Sequence, residues 1–130
     1  MLFPIQSLLP ALRSVVPLAA ATRSVASQMA AQVNVLVPVA DSSEDIETAC
    51  ITDVLVRAGA KVTVASVMPA GRLQVTMARG LKLTADTHID ACTDAEWDAI
   101  ALPGGMPGAE HLSGSEPLTE LLKNDHHLLR

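Results

Sequence analysis

Val33-Asn34-Val35-Leu36-Val37-Pro38-Val39 is the stretch that decides the fold. It is β-branched and almost uninterrupted by polar residues, the pattern of a strand buried on both faces in a parallel sheet. Asp41-Ser42-Ser43 then supplies turn and N-cap residues. Glu44, Asp45 and Glu47 fall in or near the first turn of a helix, where its dipole favours them. The helix is expected to run to about Arg57-Ala58, with Gly59 ending it at the C′ position. Lys61-Val62-Thr63-Val64-Ala65-Ser66-Val67 follows as a second strand. Strand, helix and strand fill about 35 residues, the size of a βαβ unit, which sets the fold class as α/β.

Further along, Met68-Pro69-Ala70-Gly71 reads as a loop. Leu73 to Met77 and Leu81 to Ala85 read as two short strands, with Arg79-Gly80 as a tight hairpin connection between them. Thr93 to Trp97 reads as a helical turn. Ala99-Ile100-Ala101-Leu102 is then a short, uncharged run, expected to be a parallel strand buried on both faces. It leads into Pro103-Gly104-Gly105-Met106-Pro107-Gly108, a stretch with few side chains. Glu116-Pro117 to Asn124 reads as a helix with Leu118, Leu121 and Leu122 inward.

Upstream, Met1 to Gln32 has a different character. Of the nine basic residues only Arg13 and Arg23 lie there, and all 14 acids lie after it. Serines, no acids and apolar residues at helical spacing (Leu8, Leu12, Val15, Ala19) make residues 1–32 a targeting, transit-like segment. Mitochondrion is the expected destination, with chloroplast as the alternative, or cytoplasm if translation starts at Met29. A secretory signal competes, because Ala19-Ala20-Ala21 resembles a cleavage site, and so does a plain disordered tail. Pro4, Pro10, Pro17 and Arg13 interrupt any apolar run long enough to span a bilayer.

Composition narrows the function. The chain has 130 residues, 49% hydrophobic and 18% charged, so it is one globular domain. A net charge of −5 and 2% aromatics argue against binding nucleic acid by phosphate neutralisation or base stacking. Neither G-x-G-x-x-G nor a P-loop is present. Cys50 and Cys92 form neither a disulfide framework nor a zinc pattern. They suit a reducing compartment, and a single disulfide between them stays open. Cys50, three residues after Glu47, is expected to face the core. Cys92 lies between Asp90 and Asp94, a setting that disfavours thiolate. His88 and His111 are isolated, and His126-His127 are adjacent and so diverge on a helix. No metal and no cofactor are expected.

Two features carry candidate chemistry. Glu47 shares a helical face with Ile51, Val54 and Ala58, so partial burial is expected, with a raised carboxyl pKa suited to proton donation. The plainer reading is a solvated first-turn acid. Gly104 and Gly105 could offer backbone N–H groups to an oxyanion, the plainer reading being a tight turn. Right-handed connectivity places both features on one rim of the sheet.

These residues, Val35 to Ala40, Glu44 to Thr48, Asp53 to Ala65 and Leu102-Pro103-Gly104-Gly105-Met106-Pro107-Gly108-Ala109, resemble the DJ-1/PfpI family, and in particular its parkinsonism-associated branch. The match runs in register from about Val33 to Lys123. The resemblance implies a flavodoxin-like parallel sheet with flanking helices, truncated, residues 33–130 being the N-terminal part of such a domain. It implies a homodimer and cofactor-independent, cysteine-dependent glyoxalase or protein deglycase chemistry on small reactive carbonyls such as methylglyoxal, with a role against oxidative stress. Glu47 then takes the place of the acid that supports the cysteine thiolate. Gly104 and Gly105 take the place of the backbone donors, and Arg79 that of an arginine near pocket and dimer interface. Two departures accompany it. Neither Cys50 nor Cys92 matches the nucleophile, which belongs on a strand after the helix ending near Asn124. Ser42 stands where a glycine is usual before the acids. The chain is therefore expected to be inactive alone. The alternatives are a non-catalytic fragment that dimerises or acts in a chaperone-like or redox-response role, and an anion- or nucleotide-binding module without a motif.

Overall fold

The computed structural model describes residues 32–124; the transit-like segment, apart from Gln32, and His126-His127 lie outside them. β1 (Asn34–Val39) is the heart of the domain. It is followed by α1 (Asp45–Arg57) and β2 (Lys61–Ser66). β1 and β2 pair in parallel from Asn34↔Lys61 to Val39↔Ser66, completing the expected βαβ unit. The chain then forms β3 (Gln74–Thr76) and β4 (Lys82–Thr84), an antiparallel pair outside the main sheet. β5 (Thr87–His88) and β6 (Ala99–Ile100) return to the main sheet, followed by α2 (Gly108–Ser113) and α3 (Glu116–Asn124). The main sheet has the order β5-β2-β1-β6, all parallel.

Val35, Leu36, Val37, Pro38 and Val39 are all buried. Successive side chains of a strand point to opposite faces, so burial of five in a row means that both faces of β1 are covered. Ile89, Cys92, Leu112, Leu118 and Leu121 complete the core with Val75 and Met77 from the hairpin. Two aspartates start the ladders. Asp98 accepts from the Asn34 N–H and returns its own N–H to the Asn34 carbonyl. Asp86 does the same for Val64. Among the described residues no helix is long and apolar enough to cross a membrane.

Helix α1 ends as its sequence predicts. The N–H of Gly59 donates to Val56 and that of Ala60 to Leu55, a Schellman closure with Gly59 at φ +89°. Its other details differ from expectation. The N-cap is Glu44, without a side-chain cap, rather than a residue of Asp41-Ser42-Ser43. The Ser43 hydroxyl turns back instead and accepts from the Ala40 N–H. The inner face is Thr48, Ile51, Thr52 and Leu55, whereas Glu47, Val54 and Ala58 are exposed, Val54 at 62%. Cys50 is exposed as well, not core-facing. Threonine can line the inner face because its hydroxyl bonds back to the helix. Thr48 donates to the Glu44 carbonyl and Thr52 to that of Thr48.

Elsewhere the hairpin forms where Arg79-Gly80 predicts it, with Gly80 at φ +92° and the Met77 N–H on the Leu81 carbonyl. Pro69–Gly71 is a single 3₁₀ turn rather than an open loop. The helical turn expected at Thr93 to Trp97 sits earlier, at Ile89–Cys92. There the Trp97 indole reaches back to donate to the Cys92 carbonyl. β6 is not buried on both faces. It is the edge strand of the described sheet, with Ala99 exposed and Leu102 beyond it 46% exposed.

An ion pair that sequence reading missed ties β1 to the hairpin. Arg72 donates through both terminal nitrogens to the two carboxylate oxygens of Asp41, and the Thr76 N–H adds a third bond. The Arg72 hydrogen bond holds the Asp41 carboxyl below its ordinary 3.8. A depressed folded value contributes stability above the unfolded value, lost as pH falls through the folded one. Urea midpoints measured at about pH 7 and about pH 3 should therefore fall further for the wild type than for Asp41→Asn. Equal falls would show that the pair carries no linkage.

Candidate functional site

The C-terminal end of β1 is where three segments meet. The turn 41–44 leaves β1 and starts α1. The β3–β4 hairpin holds it from one side, through the Ser42 N–H on the Thr76 carbonyl and the Ala78 N–H on the Ser43 carbonyl. The glycine loop after β6 holds it from the other, through the Glu44 N–H on the Gly104 carbonyl. Position 42 has φ +65°. A side chain there is conformationally unfavourable, so Ser42 carries a backbone strain that a glycine would not.

The glycines of the loop answer to this crowding. A Cβ on Gly105, which has φ +99°, would lie 2.5 Å from the Ser42 carbonyl oxygen and 2.7 Å from the Glu44 nitrogen. One on Gly108 would lie 2.5 Å from the Ser43 nitrogen. Both obstacles are backbone and cannot swing away. The loop lies against the turn at a separation that only glycine permits.

Gly104 is where side-chain chemistry enters. Its N–H donates to Oε2 of Glu47, so both ends of this residue are bound to the start of α1. The Glu47 carboxylate is thus brought to the glycine loop, 57 residues away in sequence. It reaches there from an exposed position on the helix flank, not from the partly buried stripe expected of it.

The other candidates lie around this contact. The Arg79 N–H donates to the Asp45 carboxylate at 2.8 Å, and its guanidinium stands 3.9 Å from Glu44. Arg79 therefore neutralises the first turn of α1 rather than touching Glu47. Cys50 is exposed on α1. Cys92 is buried after β5, at the sheet edge opposite β6, and its thiol donates to the His88 carbonyl at 3.7 Å. Burial pushes the Cys92 thiol up, away from thiolate. The neighbouring acids named from sequence are not the cause. His88 is engaged with the Met68 carbonyl at 2.8 Å and the Asp90 carboxylate at 3.1 Å. Among the described residues no three His, Cys, Asp or Glu side chains are grouped to hold a metal.

A parallel α/β sheet with flanking helices, and a glycine loop and an acid at the carboxyl rim of its strands, define the class: the flavodoxin-like architecture of the DJ-1 proteins. Residues 33–128 match the DJ-1/PfpI family model, and the chain belongs to that family. It is 45% identical over 89 residues to Protein DJ-1 homolog B of Arabidopsis thaliana, covering 68% of this chain and 20% of that protein. It is 39% identical over 90 residues to the Parkinson disease protein 7 homolog of Danio rerio, covering 68% of this chain and 47% of that one. Among solved structures, oxidized Toxoplasma gondii DJ-1 superposes with a TM-score of 0.68 at 51% identity, covering 71% of this chain and 49% of that one. Drosophila melanogaster DJ-1beta does so with a TM-score of 0.69 at 31% identity, covering 74% and 50%. The chain spans half or less of the length of these relatives.

Proposed function

We propose that this chain forms the acid-and-glycine half of a cysteine-dependent site acting on small reactive carbonyls, as a glyoxalase or protein deglycase. The observation that carries the reading is the Glu47 carboxylate held on the Gly104 N–H, at the strand ends where α/β sheets bind ligands. In such a site the Glu47 carboxyl would pass a proton to or from the bound carbonyl carbon skeleton. The loop N–H groups would take up charge developing on its oxygen. Neither cysteine of the described chain serves as nucleophile beside them, Cys50 being exposed on the helix and Cys92 buried at the far edge. The chain by itself should therefore leave methylglyoxal unconsumed. Turnover by the purified chain that survives both Glu47→Ala and Cys50→Ser would overturn the proposal.

A non-catalytic, self-associating role is the second reading. Ile46, Val54 and Val56 on α1 are 59–71% exposed, and among the described residues β6 pairs on one side only. Exposed apolar side chains on a helix and an open edge both favour pairing with a second copy. Sedimentation equilibrium distinguishes the readings, since a monomer at all concentrations would remove this one.

A further inference from the structure

Ser42 is a residue that the carbonyl site leaves without a task. It holds φ +65°, in the left-handed region that a side chain enters only at a cost. Strain of this kind persists where the surroundings impose it, and it tends to gather at functional positions. Residues 32–124 contain five serines, and the other four hydroxyls are in use. Ser43 accepts from the Ala40 N–H and Ser115 from the Leu118 N–H, while Ser66 donates to the Arg72 carbonyl and Ser113 to that of Glu110. The Ser42 hydroxyl has no hydrogen-bond partner among the described residues. Its side chain is half-buried, where Ser43, Ser66 and Ser115 are buried.

The sequence around it is acidic. Ser42-Ser43-Glu44-Asp45 places carboxylates two and three residues downstream. A hydroxyl with an acid at the third position downstream recurs at Thr87, Thr93 and Ser113. The Thr93 and Ser113 hydroxyls are bonded to the Asp90 and Glu110 carbonyls, and Thr87 lies in β5, paired with Ala65. Ser42 alone joins the acids to a turn and an unengaged hydroxyl.

We propose that Ser42 is a phosphorylation site for an acid-directed serine/threonine protein kinase. The Ser42 Oγ takes the γ-phosphoryl group of ATP: the Oγ–P bond forms, the bond to the departing ADP breaks, and the hydroxyl proton passes to the kinase. The product carries about −1.5 to −2 charge at pH 7. Arg72 and Arg79 bracket β3 beside this turn, the first bonded to Asp41 and the second 3.9 Å from Glu44, so cations stand on both sides of the new charge. Helix α1 has no side-chain N-cap, and the phosphate would lie two residues before its N-cap residue, Glu44. The modification thus charges the turn that leads into the helix of Glu47. It does not depend on the carbonyl chemistry.

The full chain, incubated with such a kinase and magnesium ATP, should gain one phosphoryl group, mapped to Ser42 by fragment mass spectrometry. Ser42→Gly relieves the backbone strain and should lose the label while unfolding at no lower urea concentration than the wild type. A peptide of residues 36–50 supplies the motif without the fold. Asp45→Asn should slow labelling about tenfold in chain and peptide alike, the share expected of charge recognition. Labelling of the peptide but not of the folded chain would overturn the proposal, because the turn would then be closed to the enzyme. Label on Ser43, Thr87, Thr93 or Ser113 in place of Ser42 would overturn it equally. So would no label on either chain or peptide, or a rate that Asp45→Asn leaves unchanged in both.

Discussion

Gly105→Ala should destabilise the chain by about 3 kcal/mol, from two costs that add. Placing an L side chain at positive φ costs about 1–2 kcal/mol. Forcing a methyl into a filled space costs about 1–3 kcal/mol. Here the space is filled by the Ser42 carbonyl oxygen at 2.5 Å and the Glu44 nitrogen at 2.7 Å. Relief requires moving the loop away from the turn, which breaks the Glu44 N–H bond to the Gly104 carbonyl and draws Gly104 from Glu47. Gly80→Ala is the matched control. Gly80 has a similar φ of +92° with nothing within 4 Å of its added Cβ. It should pay the conformational cost alone, about 1–2 kcal/mol. The comparison is made by urea denaturation, and equal losses at the two positions would show that the close approach is not maintained in solution.

Leu36→Ala should cost about 2–5 kcal/mol, a large share of the roughly 5–15 kcal/mol that holds a domain folded. Leu36 has 0% exposure and lies in the central strand, with β2 on one side and β6 on the other. Its carbonyl receives the Ala101 N–H, so the strand leading to the glycine loop hangs on this residue's backbone. Its side chain projects from a covered face of the sheet, and the cavity left by truncation cannot collapse without shifting what packs on that face. Val54→Ala removes a side chain that is 62% exposed and should change stability by less than about 0.5 kcal/mol. A midpoint shift for Leu36→Ala no larger than that of Val54→Ala would contradict the assignment of β1 as the core.

The contrast between Leu36 and Val54 also marks what could be read from the chain beforehand. β1, β2, the hairpin and α3 were legible because each carries its own local signal: a β-branched run, a Gly at a tight connection, leucines at helical spacing. The face of α1 was not. Apolarity alone selects Ile51, Val54 and Ala58 and so draws Glu47 and Cys50 inward. The folded helix instead buries Thr48 and half-buries Thr52, whose hydroxyls are satisfied within the helix itself. β5 and β6 are two residues each and leave almost no periodicity, and α2 begins at Gly108, a weak helix former. At the site, the proximity of Glu47 to the glycine loop followed from βαβ handedness. That Gly104 and Gly105 differ did not, because backbone donors carry no mark in the sequence of whether they are already in use. The Asp41–Arg72 pair was invisible for a similar reason, since 31 residues separate its partners.

The strand order has a consequence in time as well as in space. β1 pairs first along the chain with β2, where Asn34 meets Lys61, 27 positions on. It pairs with β6 only where Val35 meets Ala99, 64 positions on. The longer closure costs about 0.8 kcal/mol more in chain entropy, and β6 offers only two ladder residues to repay it. The first half of the domain can therefore assemble while the glycine loop is still unattached, and the loop docks late. The contact that orients Glu47 therefore belongs to a segment that docks on a strand pair already formed, and not to that pair itself.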